Sequence, residues 1–160
     1  MKAIVNTKLV MEDGIIWDGA LTMENGRIVQ CGWAADVEIP ADAECIDAGG
    51  LYTTPGFVDV HNHGGDGAWF YLEPERAAQF FLKHGETTIL PTLYFNLDRE
   101  TMLAGAERIR RASLSGAGKN LAGLYMEGPY MNTKYGSDNN NIKWKEEIDP
   151  AEYALLVDTL

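Results

Sequence analysis

The stretch VDVHNHGGDG, residues 58–67, decides the fold. Its first half sets β-branched valines between polar residues, the pattern of a strand. Its second half, Gly-Gly-Asp-Gly, lets the backbone turn away without crowding what lies beside it. Residues two apart in a strand share a face, so Asp59, His61 and His63 project together, opposite Val58, Val60 and Asn62. Two imidazoles at that spacing can chelate one divalent ion. Asp59, one step deeper on the same face, is placed to hold a ligand histidine in its tautomer. A bare His-x-His is short and arises by chance, and its bland reading is two solvated or hydrogen-bonded histidines at a strand end. The surroundings change that weight.

After Pro55 the chain alternates. GFVDVHNH is strand-like, EPERAAQFFLKHG has apolar residues at helical spacing with Gly85 as its stop, and TTILPTLYF reads as a second strand. DRETMLAGAERIRRASLSGAG reads as a helix opened by Asp98 as N-cap with Thr101 close behind. NLAGLYMEGPYM is a third strand running into a loop, and DPAEYALLVDTL opens a further helix with Pro150 at its first position. This is the grammar of right-handed βαβ units in a parallel sheet, and the first two strands are short apolar runs of the kind that helices cover. His-x-His thus falls at the C-terminal end of the first strand, where parallel α/β folds place their chemistry.

Residues 1–54 differ. KAIVNTKLV, IIWDGALTM and RIVQCG are strand-like, and Asn25-Gly26 between two of them is a hairpin signal because both residues tolerate positive φ. With ECIDAGGLYTTPG supplying one more short strand, this half reads as all-β and antiparallel.

Glu127 in LYMEGPYM sits at the end of the third parallel strand. A lone glutamate there is more often an N-cap or loop carboxylate. Together with His61 and His63 it makes a set suited to zinc or another borderline divalent metal. Other residues carry less. His84 ends a helix, where an imidazole suits the macrodipole. Asp66 reads as a turn residue, RIRR at 108–111 as a solvated helix face with Ile109 buried, and Trp69 and Phe70 as packing residues rather than covers of the site.

The 13 basic against 24 acidic residues, net charge −11, argue against nucleic acid and anionic membrane. No apolar run approaches a membrane span, and the first residues are broken by polar ones before a leader's apolar segment develops. Cys31 and Cys45 have no CxxC partner, so nothing points to an oxidising compartment. The expected location is the cytoplasm.

GRIVQCG, then IDAGGLYTTPGFVDVHNHGGDG, then GETTILPTLYF, then LYMEGPYMNTKYG resemble the N-acetylglucosamine-6-phosphate deacetylases of the amidohydrolase superfamily, from about residue 14 to about residue 138. PGFVDVHNHG alone indicates only the superfamily; TTILPT and MEGPY point to the deacetylase branch. The resemblance implies the N-terminal part of a metal-bearing (β/α)8 TIM-type barrel, about three βα units over residues 55–160, preceded by strands of a small β-sandwich over residues 1–54. It makes His61, His63 and Glu127 metal ligands, with zinc, iron or another divalent ion as cofactor. The loop at Gly136, Ser137 and Asp138 matches a segment that touches the sugar, although the family usually has a histidine at the third position; Glu86 is likewise unusual before the Thr-Thr pair.

The implied reaction is metal-assisted hydrolysis of N-acetylglucosamine 6-phosphate to glucosamine 6-phosphate and acetate, by a homodimer. A full barrel needs about 250 residues. The catalytic aspartate, two further histidines and the cationic phosphate contacts are therefore expected beyond Leu160, and the 160 residues alone are expected to show no turnover. The alternatives are a hydrolase of cyclic amides, N-acyl amino acids or aminopurines, and a non-catalytic amidohydrolase-like scaffold.

Overall fold

The computed structural model describes residues 1–130 and 147–159, and the chain divides into two compact units, Met1–Pro55 and Gly56–Leu160. The first unit is built on β1 (Lys2–Met11), β2 (Gly14–Glu24) and β3 (Arg27–Trp33), paired antiparallel in sequence. Asn25 and Gly26, at φ 51° and 76°, make the β2–β3 turn, as the sequence predicts. The remaining strands depart from the all-antiparallel expectation: β4 (Glu44–Asp47) and β5 (Tyr52–Thr53) both lie parallel to β1. The cause is the long connection after β3, which returns the chain to the start of β1, so that Lys2 faces Glu44 and Val5 faces Asp47. The order is β3-β2-β1-β4, with β5 beside the far end of β1. Ala3, Thr7, Leu9, Leu21 and Thr22 are buried in this unit.

In the second unit β6 (Phe57–Asn62), β9 (Glu86–Leu93) and β10 (Tyr125–Met126) form a parallel sheet in the order β10-β9-β6. Between β6 and β9 lie a short antiparallel hairpin, β7 (Gly64–Gly65) and β8 (Ala68–Trp69), and helix α1 (Pro74–Lys83). Helix α2 (Arg99–Ser113) and a single 3-10 turn (Gly116–Gly118) lead to β10, and α3 (Pro150–Thr159) follows. Asp98 caps α2 by accepting from the Thr101 amide at 2.8 Å. The third strand is much shorter than NLAGLYMEGPYM predicts: Leu121 makes one isolated bridge to Ile89 before the pairing resumes at Tyr125.

Ile89 and Leu93 of β9 pack with Phe70, Ala77 and Ala78 of the α1 region, Met102, Ala106 and Ile109 of α2, and Leu156 of α3. Full burial of a side chain of this size is worth about 1.5–3 kcal/mol. Asn120, itself buried, donates from Nδ2 to the carbonyls of Ala78 and Glu86, tying α1 to the start of β9. β9 is covered as expected, but β6 is not: Val58 and Val60 are 65% and 56% exposed. With β9 on one side and no further strand on the other among the described residues, β6 is a sheet edge with an open apolar face.

Candidate metal centre

β6 and β10 flank β9 in parallel, so their C-terminal ends meet on one rim. The rim places three donors together. His61 Nε2 lies 3.9 Å and His63 Nε2 3.3 Å from Glu127 Oε2, and all three donor atoms fall within 4.8 Å of one another. Glu127 is held at the rim by its backbone amide, which donates to the Leu93 carbonyl at 3.1 Å. The two imidazoles meet edge to face, their centroids 5.2 Å apart.

Glu127 Oε2 is buried and, among the described residues, accepts no hydrogen bond. A desolvated carboxylate oxygen is costly unless a cation or donor faces it, and here two imidazole nitrogens converge on the same point. Two imidazoles and a carboxylate form the ligand set of open, catalytic zinc sites, which keep a position for water or substrate. The residues present therefore fit a divalent ion. His63 Nδ1 is also buried, and among the described residues it meets no hydrogen-bond partner.

Other contacts hold the rim. Between Asp59 and Asn62 the β6–β9 register shifts, and the Asn62 amide donates to Thr92 Oγ1 at 2.9 Å. The shift also breaks strict alternation, because Asn62 Nδ2 reaches Asp59 Oδ2 at 2.8 Å, although simple strand geometry puts these side chains on opposite faces. Asn62 Oδ1 accepts from the Gly64 amide. Asp59, expected to orient a histidine ring, instead accepts from the backbone amide of His61 at 3.0 Å. It steadies the main chain that carries the ring. Asp59 also faces Glu86, whose carboxyl is pushed above its ordinary value by burial first and by the Asp59 charge second.

Aromatic rings back the imidazoles. Tyr125 stacks on His61 with centroids 4.9 Å apart, and Tyr94 meets His63 edge-on at 4.8 Å. Sequence reasoning passed over Asn62, Thr92, Tyr94 and Tyr125. The tyrosines carried a usable signal, since each lies at or just past the end of a parallel strand. Trp69 and Phe70, both expected to pack, part company: Phe70 is fully buried and Trp69 is 44% exposed beside the site. Gly136, Ser137 and Asp138, the expected sugar-contacting loop, lie outside the described residues. His84 Nδ1 contacts the Phe80 carbonyl at 2.8 Å. Ile109 is buried while Arg110 and Arg111 pair with Glu107, as expected of a solvated helix face.

No family model matches the chain. Among curated proteins it is 46% identical over 54 residues to an imidazolonepropionase from Cupriavidus pinatubonensis, covering 32% of this chain and 12% of that protein. It is 43% identical over 56 residues to a dihydroorotase from Anoxybacillus flavithermus, covering 35% and 13%. Among solved structures, N-acetylglucosamine-6-phosphate deacetylase from Pasteurella multocida matches at a TM-score of 0.74 and 25% identity, over 99% of this chain and 42% of that one. The Mycobacterium smegmatis deacetylase matches at 0.75 and 24%, over 99% and 44%. The likeness to N-acetylglucosamine-6-phosphate deacetylases expected from the sequence is thus shown across the chain, which spans less than half the length of those structures and about an eighth of those relatives. Within the described residues no helix is long and apolar enough to cross a membrane.

Proposed function

We propose that this chain supplies part of the active site of a metal-dependent hydrolase that cleaves the amide C–N bond of an N-acetylated amino-sugar phosphate, N-acetylglucosamine 6-phosphate. The observation that carries the reading is the convergence of His61, His63 and Glu127 on one point at the C-terminal rim of a parallel sheet. In this proposal residues 1–54 belong to a β-sandwich and residues 55–160 to the first three βα units of a (β/α)8 barrel, in a cytoplasmic homodimer.

A divalent ion, zinc on the chemistry of the donor set, would supply Lewis acidity toward the acetamide carbonyl and lower the pKa of water. His61, His63 and Glu127 would fix it through the atoms that already face one another. Asp59, Asn62 and Thr92 hold the two histidines at their spacing through the main chain. In the hydrolysis, water oxygen adds to the acetyl carbon, the C–N bond breaks, and the amine nitrogen takes a proton. Acetate and glucosamine 6-phosphate leave.

A second reading is a cyclic-amide hydrolase. It draws on the curated relatives, an imidazolonepropionase and a dihydroorotase, whose similarity covers about a third of the chain. Hydrolysis assays with N-acetylglucosamine 6-phosphate, imidazolonepropionate and dihydroorotate, run on the longest polypeptide that carries residues 1–160, separate the two. Zinc-dependent acetate release that His63→Ala abolishes supports the proposal. Opening of a cyclic amide without acetate release overturns it.

A further inference from the structure

We propose that Trp69 is a specificity-determining residue of this site, its indole forming one wall of a slot that takes the flat face of a cyclic substrate beside His63. The inference rests on the hydrolase reading above and names what that reading leaves open: how a sugar ring, rather than its acetamide, is held.

A cavity of about 240 Å³ opens next to the metal centre, lined by His63, Gly64, Gly65, Gly67, Ala68 and Trp69. Its lining is an imidazole, an indole, one methyl group and glycine backbone. With no charged side chain in that lining, it suits an apolar ring face whose edge meets backbone groups. The β7–β8 hairpin makes the slot. Asp66 and Gly67 turn at φ 53° and 72°, and Gly64 pairs with Trp69, which sends Phe70 into the core and leaves the indole outside. A side chain at Gly64 would collide with the Ala68 carbonyl, its Cβ at 2.8 Å from the Trp69 Cα, so the close pairing that frames the slot needs glycine there.

The indole is also held in place. The Trp69 carbonyl accepts from the amides of Leu72 at 3.0 Å and Glu73 at 2.8 Å, and the Phe70 amide donates to the His63 carbonyl at 3.0 Å. Arg76 Nη2 donates to the Asp66 carbonyl at 2.8 Å, pinning the hairpin turn. The ring leans on Tyr71 and Tyr94, at centroid distances of 5.9 and 6.3 Å, and stands 6.2 Å from the His63 ring. An exposed aromatic surface fixed in this way loses little freedom when a ring stacks on it. The apolar face of a pyranose, with its axial C–H groups, meets that surface; an open-chain amide has no such face to offer.

The test compares N-acetylglucosamine 6-phosphate with the open-chain N-acetylethanolamine phosphate, which carries the same acetamide and phosphate without the ring. Binding to the longest polypeptide that carries residues 1–160, and to its Trp69→Phe and Trp69→Ala variants, is followed by ligand NMR and by tryptophan emission, once with zinc and once with EDTA. Far-UV circular dichroism confirms the fold of each variant. Trp69→Ala is expected to weaken the sugar about three- to tenfold, the scale of one aromatic stacking contact, while Trp69→Phe keeps most of the affinity and neither changes the open-chain ligand. The sugar is expected to shift the emission of the wild type and not of Trp69→Phe, in which Trp17, Trp33 and Trp144 remain. Equal sugar affinity in wild type and Trp69→Ala, no sugar binding by the wild type, or an emission shift that persists in Trp69→Phe overturns the inference. Failure to take up zinc overturns the hydrolase reading instead, and the ratio of wild type to Trp69→Ala measured in EDTA still decides the role of Trp69.

Discussion

Replacing Thr92 by valine should loosen the metal centre without touching any residue that faces the ion. The Asn62 amide lies between the two histidines in sequence, and where the β6–β9 ladder slips it donates to Thr92 Oγ1 at 2.9 Å. Thr92 is buried. Valine has nearly the same shape, so the core stays filled, but a methyl group replaces the acceptor and takes this hydrogen bond from a partly buried amide. Such a loss costs about 0.5–1.5 kcal/mol. For a chain of 160 residues that lowers the melting temperature by roughly 1–6 °C. Contacts that orient metal ligands are worth about ten- to a hundredfold in metal affinity, so zinc binding should weaken by about that factor. The assay is a thermal melt of the metal-free chain followed by zinc titration, with Thr92→Ser as the partner variant. Serine keeps the hydroxyl and should keep the zinc affinity, even if its missing methyl costs some stability. A Thr92→Val chain that melts and binds zinc like the wild type, or a serine variant that loses zinc equally, would refute the reasoning.

Glu86 carries a second prediction, in pH. Burial and the neighbouring Asp59 raise its pKa above the ordinary 4.5, so its ionised form is disfavoured by folding: the group is without cost below about pH 4.5 and subtracts stability as pH rises through its raised folded value. Glu86→Gln should therefore melt higher than the wild type at pH 7 and equally at pH 4, and parallel melting curves across that range would contradict this. The open face of β6 carries a third. A chain with Val58 and Val60 exposed on an edge strand should self-associate with rising concentration, and Val60→Lys should reduce that in sedimentation velocity; an association unchanged by lysine would place the contact elsewhere.

The parallel unit was legible because its signals are local. Asp98 before a helical pattern, Pro150 at a first helical position, Gly85 after the last turn and Asn25-Gly26 between strands each act through their own backbone. The meeting of His61, His63 and Glu127 was legible for a related reason, since parallel strands end on one rim. What the sequence hid depends on pairing. The parallel placement of β4 and β5 against β1 follows from where a long connection returns, which no residue in those strands specifies. The register slip after Asp59 turns Asn62 toward Asp59 and recruits Thr92, and period-two reasoning cannot see a slip. Asp59 shows the consequence: its position beside His61 was readable, but its partner turned out to be an amide rather than a ring. Trp69 was misjudged because the β7–β8 hairpin reads as a plain glycine turn, and only the pairing of Gly64 with Trp69 sends the indole outward.

Calorimetric titration of zinc into the metal-free chain, beside the His63→Ala and Glu127→Ala variants, tests the central claim most directly. One ion per chain, with binding lost or weakened at least a hundredfold in either variant, is the predicted result. A wild-type chain that takes up no zinc, or takes it up equally well without His63 and without Glu127, would contradict the account.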